Sequence, residues 1–185
     1  MPNLDHPTLP FIKSRFSESG DSGKRELFAT EFRGETTIVV KPADLHDLLA
    51  FLKNDDDCKY DFLSDIAGID YLNYPRNKDD HAPTGRFAVV YNLESTTNNT
   101  RLFVKVLLDP TLDTHGIEDD PALHLPTCTD LWMGGEWLER EVFDMYGVAF
   151  ENHPDLRRIL TDYGFEGYPL RKDFPLSGFV EVRYD

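Results

Sequence analysis

Leucines repeat with the period of an α-helix in the stretch that follows Pro42. They stand at positions i, i+3, i+4 and i+7, namely Leu45, Leu48, Leu49 and Leu52. This spacing places them on one side of a helix, which is then buried against the rest of the protein. Proline is favoured in the first turn of a helix, and Asn54 with the aspartates after it ends the apolar pattern. The pattern predicts a helix over residues 42–54.

A second helical pattern covers residues 136–146 and ends at Gly147, a natural C-terminal cap. Its apolar residues recur at i, i+4 and i+7, so they share one side of the helix, which we expect to face the sheet. They are Leu138, Val142 and Met145. Beside them, Glu136, Arg140 and Asp144 are each four residues apart, and we expect a ladder of charges along the helix.

Strand patterns lie between and before these helices. Three segments are rich in β-branched and aromatic side chains: residues 36–40, 86–93 and 101–108. The turn residues between the last two segments predict that they form a hairpin. Residues 58–71 predict a strand with a turn at Gly68. Residues 109–126 predict a loop, after which Thr127 or Thr129 caps a short helix through Met133. This order predicts an α+β fold, with a mixed or antiparallel sheet, two main helices packed on it and a long extended C-terminal arm.

The chain divides into three parts. Residues 1–25 are polar and broken by proline and glycine, which predicts an extended or disordered N-terminal arm. Residues 26–151 form the α+β domain. Residues 152–185 are too apolar and aromatic for a disordered linker, yet their prolines and glycines prevent long helices. An extended chain of this kind must bury its large side chains, so the sequence predicts a tail that wraps a partner protein.

Composition restricts the possible partners. The chain of 185 residues has a formal net charge of −15 and a pI near 4.7, so nucleic acid and anionic membranes would repel it. Membrane contact is therefore expected to be indirect. No apolar run is long enough for a transmembrane helix, and residues 1–20 lack a signal pattern, which predicts a cytosolic or already processed chain. The tail is nearly neutral, so Arg157, Arg158, Arg171 and Lys172 stand out as basic pairs that suit carboxylates across an interface.

The chemistry of a catalytic or cofactor site is weakly represented. The two cysteines, Cys58 and Cys128, are far apart and form no CxxC pair, and the six histidines lack HxxxH and HxH spacing. Phosphate-loop and nucleophile motifs are also absent from the sequence. We therefore predict no catalytic, cofactor-binding or metal-binding residue in this chain.

Two ligand-directed interpretations remain as alternatives. Glu136 with Glu139, or Glu139 with Glu141, would act as acid and base, with Asp144 as a third carboxylate, although residues two apart on a helix point in different directions. Residues 163–168 carry aromatic side chains that would stack on a quinone or nucleotide ring, but aromatic anchoring on a partner is favoured. Trp132 and Trp137 are expected in the core or at its edge.

Three motifs resemble the signature of one protein family. They are residues 139–147 (EREVFDMYG), 153–160 (HPDLRRIL) and 169–175 (PLRKDFP), with weaker pieces at 65–70 and 89–93. Together they resemble the 30-kDa-type subunit of NADH:quinone oxidoreductase, which is respiratory complex I. Tyr168 stands where many members of that family have histidine.

The resemblance implies a hydrophilic component of the peripheral arm that has no activity of its own within a proton-translocating NADH dehydrogenase. It implies docking on the 49-kDa-type subunit and on neighbouring proteins of the quinone module, with FMN, iron–sulfur clusters and quinone held elsewhere in the complex. The implied location is the cytoplasmic face of the bacterial inner membrane, or alternatively the matrix side of the mitochondrial inner membrane. Three other functions stay open: the equivalent component of a membrane-bound energy-converting NiFe hydrogenase, a free-standing enzyme that uses the carboxylates, and an unrelated α+β adaptor.

The motifs also supply the expected structural and interface residues. Glu139, Arg140 and Glu141 are expected to pin the second helix to the domain or tail. The residues expected to contact the partner are Arg157, Arg158, Arg171, Lys172 and Asp173. Asp144 and His153 complete the set. Charge reversal at Arg158 or Arg171 is expected to reduce assembly while leaving the melting temperature of the isolated chain nearly unchanged.

Overall fold

The structure is a computed structural model that describes residues 5–17, 27–75, 84–112 and 120–178. Five of its strands are β1 (Phe28–Phe32), β2 (Glu35–Val40), β3 (Phe62–Asp70), β4 (Phe87–Ser95) and β5 (Thr100–Leu108). They form one sheet in the order β1-β2-β5-β4-β3. Neighbouring strands are antiparallel except β2 and β5, which run parallel. The predicted mixed sheet and the β4–β5 hairpin are therefore confirmed.

Three α-helices accompany the sheet in the described part of the chain: α1 (Leu9–Ser17), α2 (Leu45–Asn54) and α3 (Gly135–Tyr146). A short 3₁₀ turn, Pro42–Asp44, leads into α2. All four leucines of the predicted α2 pattern are fully buried, because they share the face that meets the sheet. Apolar residues of α1, α2 and α3 join one core with the inward positions of β2, β4 and β5. The helices thus cover one face of the sheet, as an α+β fold requires.

The predicted N-terminal arm is wrong for residues 9–17, which form α1. Leu9, Ile12 and Phe16 are almost completely buried, and the Phe16 ring meets Phe51 of α2 edge-on at 5.8 Å. Pro10 lies in the first turn of α1, where a missing N–H costs no helical hydrogen bond. The rest of the predicted arm, at 1–4 and 18–25, lies outside the described residues.

Three local predictions also differ from the structure. A strand that was not predicted, β1, precedes β2. β3 continues through Gly68 without a turn, because Gly68 pairs in register with Val89 of β4. Residues 127–133 form turns and not a capped helix, while residues 109–126 include a 3₁₀ turn (Pro121–Leu123) and a short strand, β6 (His124–Pro126). β6 pairs in parallel with β7 (Ala149–Glu151), which follows α3.

Residues 152–178 contain neither helix nor strand. We call them the C-terminal segment; residues 179–185 of the predicted tail lie outside the described residues. The segment lies against α3 of its own chain, where Met145 accepts a backbone hydrogen bond from Leu170 (3.2 Å). Part of the apolar surface that the sequence assigned to a partner is thus covered intramolecularly.

Candidate partner interface

The position of α3 depends on two glycines. A Cβ atom on Gly68 would lie 2.3 Å from the Tyr146 ring, so the bare backbone of β3 lets the end of α3 pack directly on the sheet. Gly147 caps α3 with φ of +74°, and its own Cβ would collide with Arg171 and Tyr168. The same glycine therefore ends the helix and leaves room for the returning C-terminal segment.

Asp144 attaches the C-terminal segment to α3. Its side chain is fully buried, and Oδ2 accepts the backbone N–H groups of Ile159 (3.0 Å), Leu160 (2.7 Å) and Thr161 (2.9 Å). Oδ1 accepts the Thr161 hydroxyl (2.6 Å) and pairs with Arg158 (3.3 Å). Burial acts to raise the pKa of Asp144, but the bonds from Thr161, Leu160 and Ile159 outweigh it and lower the pKa below the ordinary value. Asp144 is thus an ionised anchor for residues 158–161.

Arg140 holds the same segment from the other direction. Its guanidinium donates to the backbone carbonyl groups of Arg157 (3.0 Å) and Arg158 (3.2 Å). The predicted charge ladder along α3 is therefore wrong, because Arg140 and Asp144 both bind the C-terminal segment. Together they bind neighbouring carbonyl and N–H groups of one stretch of chain, which fixes its path across the helix.

Arg158 and Arg171, which the sequence predicts to contact a partner, bind groups of their own domain. Arg158 donates to the Gly167 carbonyl at 2.8 Å. Arg171 is 4% exposed and donates to the Tyr146 carbonyl at 2.6 Å, at the end of α3. Its guanidinium lies over the rings of Tyr168 (4.3 Å) and Phe87 (5.0 Å). Charge reversal at either position would disturb the fold itself, so the expected insensitivity of the melting temperature no longer holds.

Lys172 and Asp173 join the C-terminal segment to the edge of the sheet. The Lys172 backbone N–H donates to Asp70 at 2.9 Å, at the end of β3. Arg86 pairs with Asp70 (3.2 Å) and Asp173 (2.7 Å), and so bridges the two carboxylates. Sequence analysis missed Asp70 and Arg86, because their pairing joins segments distant in the chain and leaves no local pattern.

Glu139 and His153 have buried side chains that meet between α3 and the start of the C-terminal segment, with His153 Nε2 3.9 Å from Glu139 Oε2. Glu139 accepts the Thr127 hydroxyl (2.5 Å) and the Cys128 backbone N–H (2.7 Å), and burial raises its pKa. His153 accepts the Asp155 N–H at Nδ1 and therefore carries its proton on Nε2, which donates to the Glu136 carbonyl (3.0 Å). Glu139 thus joins α3 to residues 127–128 of its own domain.

The acid–base interpretation fails on geometry for one of its pairs. Glu139 is completely buried whereas Glu141 is exposed, so these two carboxylates lie on different sides of α3. The ring-stacking alternative is also limited, because Tyr168 is 2% exposed and lies between Arg171 and Arg158. Both cysteines are buried, and burial raises the pKa of the Cys58 thiol to about 12.

Large apolar side chains project outward from the C-terminal segment. Their exposed fractions run from about half to complete: Leu160 62%, Tyr163 111%, Leu170 52% and Leu176 107%. We call these four residues the tail surface. Arg157 lies in the same segment. Its side chain is 71% exposed and is paired with Asp155 (2.8 Å), so it is the one predicted partner-contacting arginine that faces outward. Buried polar anchors and exposed apolar residues thus alternate along one stretch.

Trp137 contradicts its expected place near the core, since 66% of its surface is exposed. Trp132 is buried as predicted. In the four described ranges, no three histidine, cysteine, aspartate or glutamate side chains are arranged to hold a metal ion. Nor does the described part of the chain include a helix that is long and apolar enough to span a membrane.

Comparison with known families agrees with the resemblance of the motifs. Residues 38–180 match the model of the respiratory-chain NADH dehydrogenase 30 Kd subunit. An NADH-quinone oxidoreductase subunit of Burkholderia multivorans is 47% identical over 164 residues, which cover 88% of this chain and 76% of that protein. An NADH-quinone oxidoreductase subunit of Rhizobium meliloti is 50% identical over 152 residues, which cover 82% of this chain and 66% of that protein.

Two solved structures are similar in fold. A trypsin-resistant fragment of Nqo5 is 35% identical, with a TM-score of 0.56 over 70% of this chain and 89% of the fragment. A chain of an archaeal respiratory membrane complex, the membrane-bound sulfane sulfur reductase, has a TM-score of 0.62 over 96% of this chain and 95% of its own length. At 22% identity, the second likeness concerns the fold alone.

Proposed function

We propose that this chain, which belongs to the 30 kDa subunit family of respiratory-chain NADH dehydrogenases, is a peripheral protein that stabilises the quinone-reducing module of the complex by docking on the 49-kDa-type subunit. Its contribution is a fixed geometry, since electron transfer and quinone chemistry in neighbouring subunits require cofactors held at constant separation. The chain itself binds no cofactor and has no independent activity. FMN, iron–sulfur clusters and quinone belong to other subunits, and the chain lies at the cytoplasmic face of the membrane.

One observation carries this proposal: the C-terminal segment is fixed on its own domain by buried polar anchors while it exposes the tail surface. Asp144 and Arg140 bind backbone groups of the segment, and Arg171 of the segment donates to the Tyr146 carbonyl of α3, so the segment is held without regular secondary structure. The outward residues are thereby held in place before any partner arrives. Preorganisation of this kind reduces the entropy cost of association, and apolar residues held outward are suited to a protein interface.

The chemistry of the polar residues supports a structural role. Four polar residues form hydrogen bonds with the backbone or side chains of this same chain: Glu139, Asp144, His153 and Arg171. The names of the relatives, at 45–50% identity, favour an NADH:quinone oxidoreductase over a hydrogenase. The fold alone does not identify the complex, because a chain of a sulfane sulfur reductase shares it at 22% identity.

The test uses tagged full-length chain expressed in cells that lack the native copy. Complexes are captured from gently solubilised membranes, and the recovered subunits and NADH:quinone activity are measured. We expect wild type to recover the 49-kDa-type subunit and flavin-containing subunits, and Tyr163→Glu with Leu160→Glu to recover far less, because charges would be buried at the contact. Phe32→Glu is the matched control, since Phe32 is 72% exposed at the end of β1.

Surface substitutions test the contact more specifically than truncation after Phe150. Truncation would also remove the partners of Arg140, of Asp144 and of the α3 end. Recovery of a nickel–iron hydrogenase with the wild-type chain would favour the alternative assembly. Undiminished recovery of the complex with the tail-surface variant would contradict docking through these residues.

A further inference from the structure

An exposed tryptophan and methionine lie at the start of α3, away from the tail surface in sequence. Trp137 is 66% exposed and Met133 is 88% exposed. The Glu136 N–H donates to the Met133 carbonyl (3.2 Å), so the chain is already turning at Met133 and the two side chains are about one turn apart. Tryptophan is among the residues that most often dominate binding energy at interfaces, and methionine adapts to irregular surfaces.

Three carboxylates lie near this apolar pair on α3 and at the start of the C-terminal segment. Glu141 is exposed one turn further along α3, and Glu136 is half-buried beside Trp137. Asp155 is brought to the same helix because its N–H donates to His153, whose other ring nitrogen donates to the Glu136 carbonyl. Arg157 forms an ion pair with Asp155 and so lies beside these carboxylates. We call Met133, Glu136, Trp137, Glu141 and Asp155 the α3 patch.

We propose that the α3 patch is a second docking surface, which receives a protein whose contact region has an apolar pocket for Trp137 rimmed by lysine or arginine side chains. The negative rim selects the charge of the partner: opposite charges speed encounter, whereas an acidic surface would be repelled. The inference rests on the proposed function in one respect, that the partner is another subunit of the same complex. The α3 patch is centred on the start of α3, whereas the tail surface lies further along the C-terminal segment, from Leu160 to Leu176.

The first test replaces Trp137 with the photo-crosslinking residue p-benzoylphenylalanine in the full chain. The assembled complex is irradiated and the cross-linked peptide is identified. We expect a peptide from another subunit that contains lysine or arginine beside apolar residues. The same replacement at Phe32 is the control for an exposed aromatic position outside the patch. Absence of a cross-link at position 137 in a preparation that contains the other subunits overturns the proposal, as does a cross-link to an acidic peptide or to this chain itself.

The second test compares the strength of association for Trp137→Ala and Glu141→Lys. We expect each to weaken recovery of the assembled complex at least about tenfold, with the melting temperature of the isolated chain unchanged. The deficit of Glu141→Lys should shrink as salt rises, because screening reduces repulsion between like charges, whereas that of Trp137→Ala should persist. Asp57→Lys is the matched control, since it makes the same charge change at an exposed position outside the patch. Wild-type recovery by both patch variants overturns the proposal.

These results separate the two claims. If the wild-type chain recovers no respiratory subunits, the proposed function fails. If wild type assembles and only the tail-surface variants lose the complex, the proposed function stands and the α3 patch is refuted.

Discussion

Replacing Asp144 with alanine is expected to release residues 158–161 from α3 while the sheet and the α2 core remain folded. The carboxylate accepts five hydrogen bonds, three of them from consecutive backbone N–H groups. Hydrogen bonds to a charged group are worth about 1.5 to 3 kcal/mol each, but water can replace part of this loss because Leu160 is largely exposed. With a discount to about 1 kcal/mol per backbone amide, the local cost is about 3 kcal/mol.

Amide hydrogen exchange measures this cost directly. A loss of about 3 kcal/mol corresponds to roughly hundredfold faster exchange at Ile159, Leu160 and Thr161, since 1.4 kcal/mol is a factor of ten. Amides of β4 and β5 should exchange at the wild-type rate. The exchange rates of Asp144→Asn at these three amides should lie between those of wild type and Asp144→Ala. The Asn amide oxygen still accepts some of these bonds, while its NH₂ group faces other donors.

The matched control is Asp162→Ala, which removes an exposed carboxylate from the same segment. Its exchange rates should equal those of wild type. Unchanged protection of residues 159–161 in Asp144→Ala would refute the anchoring argument, as would equal loss of protection throughout the sheet.

Three further predictions concern charge and packing. Asp144 has a lowered pKa, so its stabilisation of the C-terminal segment is complete above the ordinary value of 3.8 and is lost as pH falls through the lower pKa of the folded state. The protection factors of residues 159–161, which are corrected for the intrinsic slowing of exchange in acid, should fall over that range for wild type but not for Asp144→Asn. Burial raises the pKa of Glu139, so ionising this carboxyl destabilises the folded chain once the pH exceeds 4.5, its ordinary pKa, and the loss grows as pH rises through the raised pKa. Urea unfolding should show wild type losing stability relative to Glu139→Gln over that pH range. A pH-independent difference between the two would contradict this argument. Arg171→Ala should destabilise the chain by about 2 kcal/mol and lower its melting temperature by roughly 4–8 °C, because the Tyr146 carbonyl loses its charged donor, whereas exposed Arg157→Ala should leave it unchanged.

The elements that could be predicted from the sequence are those specified by short-range patterns. The leucines of α2, the apolar stripe and glycine cap of α3, and the turn residues between β4 and β5 each determine an element within a few residues. α1 could not be predicted in this way, because Pro7 and Pro10 interrupt the sequence pattern. Its stability comes from burial of Leu9, Ile12 and Phe16 against the core.

The candidate interface was predictable as a region but not residue by residue. Basic pairs look alike in a sequence whether they face solvent, a partner or their own domain, and only the fold places Arg171 between Tyr168 and Phe87 and leaves Arg157 exposed. The binding of Arg86 to Asp70 and Asp173 joins three distant segments. Trp137 occupies a position on α3 adjacent to the apolar stripe, so its exposure depends on how the helix is rotated against the sheet.

Hydroxyl-radical footprinting tests the central claim most directly, by comparing the reactivity of tail-surface side chains in the isolated chain and in the assembled complex. In the isolated chain Tyr163 should react strongly, since its side chain is fully exposed. In the complex its reactivity should fall to that of buried Tyr91, together with Leu160, Leu170 and Leu176, while Phe32 stays reactive. Equal reactivity of Tyr163 in both states would contradict docking through the C-terminal segment.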